Sequence, residues 1–188
     1  MQFTMDFMNH FNYHCLSKEE SNNPVIPQIL KFGKMILSLE NITLSKCSIA
    51  IPYGKRLIIS KNDAIIHQLH REDIIEIIDV DPIKNLIIYF GPSQPPLLTP
   101  FLWMISYAKK EIQYIISLEM KFEKENNIAA LSHINKENTF LNTVKLILKQ
   151  LQKQDIIKID DHTLILTTQT KEDMKNKINY VRKYDNKW

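Results

Sequence analysis

Imidazole and carboxylate side chains that could bind a metal ion occur together at two places in the middle and end of the chain. His162 follows Asp160 and Asp161, so its imidazole could be a metal ligand with a carboxylate hydrogen-bonded behind it. His67 and His70 are three residues apart and could share one face of a helix. The residues around both groups are typical of turns and strands, so the alternative interpretation is a surface or turn histidine that binds no metal.

Residues 1–24 carry a third group, in which His10, His14 and Cys15 could share a face if the segment were helical. The segment ends in Ser-Asn-Asn-Pro, and we expect a short helix or a loosely docked N-terminal arm. The second cysteine, Cys47, is far from the first, and the pair has neither CxxC spacing nor the histidines of a zinc finger. This cysteine usage indicates a reducing, cytoplasmic setting.

Composition predicts one globular domain over residues 25–188. Hydrophobic residues make up 44% and charged residues 24% of the 188, which is enough to bury a core. The 24 basic and 21 acidic side chains give a net charge of +3 and are spread along the chain. We therefore expect no nucleic-acid partner, because that function needs a clustered basic face. No apolar stretch reaches about 18 residues, so we expect no membrane partner.

The order of the predicted elements indicates an α/β domain. Between residues 42 and 90, short apolar runs joined by tight turns predict a meander of mostly antiparallel strands. Helical spacing of apolar residues predicts helices over residues 27–39, 100–108, 139–153 and 171–183. Further strands are predicted over residues 112–119, 155–159 and 163–167. We expect a layered domain with a central, largely antiparallel sheet flanked by helices, in which Thr99 caps the second helix.

Three stretches resemble the class II aldolase/adducin family, which includes metal-dependent sugar-phosphate aldolases, epimerases and dehydratases, and the non-enzymatic adducin head. Residues 57–79 resemble the family's strand, its Thr-Pro-Ser-Gly loop and the Leu-x-x-Glu-Asp-Ile segment behind it. Gly91-Pro92-Ser93 resembles the family's Lys-Pro-Ser-Ser-Glu turn, and the segment that begins at His162 resembles its His-Gly strand and following helix start. The resemblance covers about residues 25–185, with the stretches in the family's order.

The resemblance implies a metal site whose ligands have been replaced. Family enzymes hold a divalent metal, usually zinc, with a His-x-His at a strand end and a later histidine. The first two positions fall on Ser117 and Glu119, and the third falls on His162. The family's acid/base glutamate has no counterpart in residues 94–98. We expect no catalytic residue and no cofactor; if the protein is active, we expect zinc in a rebuilt site that uses Glu119 and His162, with His133 as a further candidate ligand.

The phosphate-binding positions of the family also differ here. Polar side chains remain at these positions, namely Ser48, Ser60, Lys61, Asn62 and Ser93. They could bind a sugar phosphate or another small anion, although polar residues in turns often serve only the turn. Asp63 stands where the family has glycine, and its carboxylate would repel a phosphate.

The sequence is compatible with three functions. We favour a divergent class II aldolase/adducin-like protein without aldolase catalysis that works as a binding or assembly module. The alternatives are a metal-dependent lyase or epimerase acting on a sugar phosphate, and a sensor or carrier that binds a sugar phosphate without turnover. The resemblance also implies a homo-oligomer, which is usually a tetramer in the family.

Overall fold

The computed structural model describes residues 10–37, 47–119, 139–160 and 162–182. The strands within these ranges are β1 (Asn12–Ser17), β2 (Cys47–Tyr53), β3 (Arg56–Ser60), β4 (Ile74–Asp81), β5 (Leu86–Phe90), β6 (Tyr114–Glu119), β7 (Ile156–Lys158) and β8 (Thr163–Thr168). The α-helices are α1 (Ile26–Leu37), α2 (Thr99–Ala108), α3 (Phe140–Leu151) and α4 (Lys171–Arg182). Two short 3-10 turns, Ile66–Gln68 and Arg71–Asp73, lie between β3 and β4. No helix in these ranges has the length and apolar character needed to cross a membrane.

The strands form one sheet with the order β1-β5-β4-β3-β2-β6-β8-β7. β1 and β5 pair in parallel, and every other neighbouring pair in this order is antiparallel. Side chains of α2 and α3 pack on one face of the sheet, and those of α1 and α4 pack on the other. This architecture confirms the predicted layered α/β domain with a largely antiparallel central sheet.

Strand alternation divides the apolar residues between two cores. On β6 and its neighbour β8, Ile115 and Ile165 belong to the core under α2 and α3, whereas Ile116 and Leu166 belong to the core under α1 and α4. Successive side chains of a strand point to opposite faces of its sheet. Because both faces are covered here, the central strands are apolar at nearly every position, which the sequence shows as continuous apolar runs.

The β2–β3 hairpin contains one of the tight turns predicted between residues 42 and 90. Tyr53 pairs with Arg56, so Gly54 and Lys55 form a two-residue loop. Gly54 has a φ of +61°, which glycine adopts without steric cost and which suits the tight turns of hairpins. A glycine at this point therefore fixes the register of the two strands.

The segment over residues 12–17 differs from its prediction, because it is an edge strand and not a helix or a loose arm. The backbone N–H of Asn12 donates to the Asn85 carbonyl at 2.7 Å, and parallel pairing with β5 follows from there. In a strand, His14 and Cys15 point to opposite faces, so the predicted shared face is wrong. His14 is exposed and Cys15 is half-buried. Residues 1–9 lie outside the described residues.

The start of α2 is also shifted by one residue from its prediction. Leu98 is the N-cap, and Thr99 and Pro100 are the first two helical residues. The N–H of Thr99 donates to the Pro96 carbonyl at 3.0 Å, and this turn begins the helix before Thr99 could cap it. Thr99 is fully buried, and its hydroxyl has no hydrogen-bond partner within the described ranges.

Gly33 allows α1 to lie directly against the turn Ile66–Gln68. A Cβ added to Gly33 would lie 2.3 Å from the Ile66 carbonyl oxygen, a contact that only a backbone shift could relieve. We expect Gly33→Ala to lower the free energy of unfolding by about 2–3 kcal/mol in urea titrations. Helix propensity alone predicts the opposite sign, a gain of about 1 kcal/mol. The exposed Lys34→Ala control should change stability by less than about 0.5 kcal/mol. A stabilised Gly33→Ala variant would contradict the close packing.

Candidate functional site

Strand register brings most of the predicted site positions to one end of the sheet. Ser48 of β2 lies opposite Ser117 of β6, and Glu119 lies opposite Thr163 of β8, the residue after His162. We call this end, formed by the starts of β2 and β8 and the ends of β3 and β6, the Ser117 end. These strand termini meet because, in an antiparallel pair, the end of one strand lies beside the start of its neighbour.

The three positions expected to hold a metal have different surroundings at the Ser117 end. Ser117 is 5% exposed within the sheet, while Glu119 and His162 are exposed. The backbone N–H of His162 donates to Asp160 Oδ1 at 2.7 Å, which forms a tight turn before β8. This turn gives Asp160 a structural contact that does not require a metal.

The donor set at these positions does not fit zinc. It offers one imidazole, one carboxylate and one neutral hydroxyl, whereas protein zinc sites are built from thiolate, imidazole and carboxylate ligands. In the part of the chain that the structure covers, no group of three His, Cys, Asp or Glu side chains could hold a metal ion. His133, the further candidate ligand of a rebuilt site, lies outside the described residues. Nearby Cys47 is buried, and burial raises the pKa of its thiol, so it remains protonated.

The predicted phosphate-binding loop after β3 is held together by its own side chains. The hydroxyl of Ser60 is fully buried and accepts a hydrogen bond from the Ile49 N–H at 3.1 Å. Lys61 Nζ lies 2.7 Å from Asp73 Oδ1, and its backbone N–H donates to the Asp73 carbonyl at 2.7 Å. The Asn62 amide donates to Asp63 Oδ2 at 3.2 Å. These groups already bind one another, and their contacts stabilise the loop.

Asp73 is the residue of this loop that sequence reasoning missed. Burial raises the pKa of its carboxyl, but the hydrogen bonds from Lys61 and from the backbone N–H of His70, together with the positive charge of Lys61, outweigh it, so the net pKa lies below the ordinary 3.8. The same ion pair raises the pKa of Lys61. In the sequence, Asp73 is an acidic residue at the end of a turn. Its partner, Lys61, is twelve residues away, so the local pattern gave only a weak indication of the ion pair.

The remaining predicted positions lie in turns. Ser93 is half-buried in the turn after β5, whose last residue, Phe90, pairs with Glu76 near the start of β4, so this turn lies at the same end of the sheet as Ser60, which pairs with Ile74. Three strands separate β5 from β6, a lateral distance of roughly 19 Å at about 4.8 Å per strand. His67 and His70 belong to two different short turns, so they do not share a helical face. His70 contributes its backbone N–H, which donates to Asp73 Oδ2 at 2.8 Å.

Comparison with solved structures identifies the architecture. The structure superposes on YgbL from Escherichia coli, provisionally described as an aldolase/epimerase/decarboxylase, with a TM-score of 0.58 at 8% identity over 84% of each chain. It superposes on an aldolase II superfamily protein from Pseudomonas syringae with a TM-score of 0.60 at 10% identity, over 86% of this chain and 74% of that one. For an L-fuculose 1-phosphate aldolase the TM-score is 0.54 at 12% identity, over 87% and 88%.

This chain has the class II aldolase fold. No protein-family model matches the sequence, and a comparison with curated protein sequences finds no significant match. The resemblance predicted from the sequence is thus confirmed for the fold. At 8–12% identity, a class II aldolase fold specifies the architecture, and the chemistry has to be argued from the side chains at its site.

The Lys61–Asp73 pair predicts how stability changes with pH. A carboxyl whose folded-state pKa is depressed stabilises the fold above its unfolded pKa, and this contribution is lost as the pH falls through the folded-state pKa. We expect Asp73→Asn to lower the free energy of unfolding by about 1 kcal/mol near pH 7, a value reduced for the partial exposure of Lys61. The loss should disappear below the depressed pKa in urea titrations. Glu72→Gln, at the exposed neighbouring position, should have little effect. A loss independent of pH would contradict the role of the ionised carboxylate.

Proposed function

We propose that this chain, with its class II aldolase fold, is a divergent member of that superfamily that works as a binding or assembly module without aldolase catalysis. The observation that carries the proposal is the ion pair between Lys61 and Asp73 in the loop after β3. A phosphate-binding loop offers unpaired N–H and ammonium groups to its ligand. Here the ammonium is engaged by a carboxylate, and the nearby Asp63 adds a negative charge, so a phosphate would have to displace one anion beside another.

The reacting groups of a metal-dependent aldolase support the same proposal. Such an enzyme needs a Lewis acid that polarises the substrate oxygen and a carboxyl that transfers a proton. The resemblance puts a buried serine, Ser117, at a ligand position, and it puts residues 94–98, which lack a carboxylate, at the position of the acid/base. The two free cysteines support a cytoplasmic location as part of this proposal.

One observation favours a second function, a metal-dependent lyase or epimerase that acts on a sugar phosphate. The register places Glu119 opposite Thr163, so a carboxylate at the end of β6 and the imidazole of His162, in the turn directly before β8, are neighbours at the Ser117 end. Strands about 5 Å apart allow two such side chains to reach one ion. The similarity to an L-fuculose 1-phosphate aldolase is the source of the substrate class in this alternative.

Metal content separates the two functions. We expect the purified chain to hold far less than one zinc or manganese ion per chain by mass spectrometry, and to leave L-fuculose 1-phosphate uncleaved when either metal is added, because the donor set lacks two imidazoles. His162→Ala should then behave like the exposed control His14→Ala. Stoichiometric metal that is lost in His162→Ala and retained in His14→Ala would overturn the proposal in favour of the enzyme.

Assembly and ligand binding can be measured on the same protein. We expect light scattering to show a homo-oligomer, a tetramer if the assembly resembles that of the family, with a melting temperature that rises with protein concentration. Sugar phosphates should leave the melting temperature unchanged. A monomer at every concentration would contradict the assembly role. A thermal shift by a sugar phosphate without metal would favour the carrier or sensor.

A further inference from the structure

A cavity of about 380 Å³ lies on the α1 side of the sheet, beside the middle of β4. Its polar wall is formed by Arg56 and Glu76, with Ser21 and Asn23 from the segment before α1. Its apolar wall is formed by Tyr53, Ile78 and Phe90. The volume falls within the range of about 300–1,000 Å³ that is usual for small-molecule sites. The cavity shares no residue with the Ser117 end, so what it binds is independent of the function proposed above.

Glu76 is a buried carboxylate that is held in place by three side chains. It is 5% exposed, and its oxygens accept hydrogen bonds from the Ser21 hydroxyl at 2.5 Å, the Asn23 amide at 3.1 Å and Arg56 Nη1 at 2.7 Å. Burial raises the pKa of Glu76, but these hydrogen bonds outweigh it and the net pKa is lowered. The carboxylate is therefore charged, satisfied and shielded from ligands that enter the cavity.

Arg56 is the accessible charge of the cavity. Its side chain is 52% exposed, and within the described ranges Nη1 is its only hydrogen-bonded nitrogen. A guanidinium carries five N–H donors in a planar fork that matches the two oxygens of a carboxylate. The bond to the fixed Glu76 orients this fork and leaves most of its donors for a ligand. Orienting the group in advance lowers the entropic cost of binding.

The apolar wall determines the shape and polarity of the part of the ligand that does not contact Arg56. Tyr53 is 43% exposed at the cavity, and Ile78 and Phe90 are half-buried there. Flat aromatic and branched aliphatic side chains favour a planar apolar body. A cationic ligand is disfavoured because, among the described residues that line the cavity, the only accessible charge is the positive one of Arg56. A doubly charged phosphate is disfavoured because a single guanidinium would face it with Glu76 directly behind.

We propose that this cavity binds a small organic carboxylate with a planar apolar body. The carboxylate lies on the N–H groups of Arg56 that do not contact Glu76. The apolar body lies against Tyr53, Ile78 and Phe90. Glu76 acts as a positioning residue, since it contacts Arg56 and not the ligand.

The test is titration of the full chain with sodium phenylacetate, followed by NMR chemical shifts. We expect saturable shifts at Tyr53, Ile78 and Phe90, and about tenfold weaker binding to Arg56→Gln, because a charged hydrogen-bonding group is lost. Lys55→Gln removes the same charge one position away, outside the cavity wall, and should bind like the wild type. The neutral phenylacetamide should bind at least about tenfold more weakly than phenylacetate.

A second variant covers the case in which Arg56→Gln fails to fold and leaves Glu76 without its partner. Ile78→Phe adds volume to the cavity wall but retains the Arg56–Glu76 pair, and we expect it to abolish the phenylacetate shifts. Three results would overturn the proposal: no saturable binding by the wild type, equal binding by wild type and Ile78→Phe, or equal binding of phenylacetate and phenylacetamide. Tighter binding of phenyl phosphate would overturn the choice of a carboxylate.

Discussion

The antiparallel ladder between β2 and β6 is the interaction on which both the fold and the candidate site depend. It joins the two parts of the sheet, β1-β5-β4-β3-β2 and β6-β8-β7, which share no other strand pair among the described residues. A slip of one residue would turn Ile49 and Ile116 from the core under α1 and α4 towards the other core. Because both faces of the sheet are buried, such a slip would bring side chains of one core into the other and disrupt the packing of both. The same register sets Ser48 opposite Ser117 and so builds the Ser117 end.

Local patterns predicted the central elements well, and they failed where tertiary pairing decides the structure. The β2–β3 hairpin and α3 have strong periodicity and turn or cap signals; Thr139, for example, accepts the N–H of Asn142 at the start of α3. β1 has one exposed face and pairs with a strand about seventy residues away along the chain. Its mixture of polar and aromatic residues is therefore also typical of a terminal arm, which is what the sequence predicted. The predicted N-cap at Thr99 was wrong, because the turn from Pro96 to Thr99 begins the helix before that residue can cap it.

For the candidate site, the sequence could identify positions but not side-chain partners. Resemblance along the chain located Ser117 and Glu119 on one strand and His162 at the start of its neighbour, since spacing along a strand fixes position in a sheet. It could not show that Lys61 is engaged by Asp73, because that contact depends on how the turns between β3 and β4 fold. The buried Glu76 did leave a signal, a single carboxylate within the apolar run from Ile74 to Ile78. A charge in such a run requires partners, and the structure supplies them.

The two polar clusters differ in what they leave available to a ligand. In the loop after β3, Lys61 and Asp73 satisfy each other, so an anion that enters must replace an existing ion pair by a similar one and gains little free energy. At the cavity beside β4, the carboxylate of Glu76 is satisfied by three donors, while Arg56 retains donors that no described residue uses. A ligand there adds hydrogen bonds without breaking the pair that holds the site. The difference follows from donor number, because an ammonium has three N–H donors, whereas a guanidinium has five in a planar fork and keeps most of them after one binds a carboxylate.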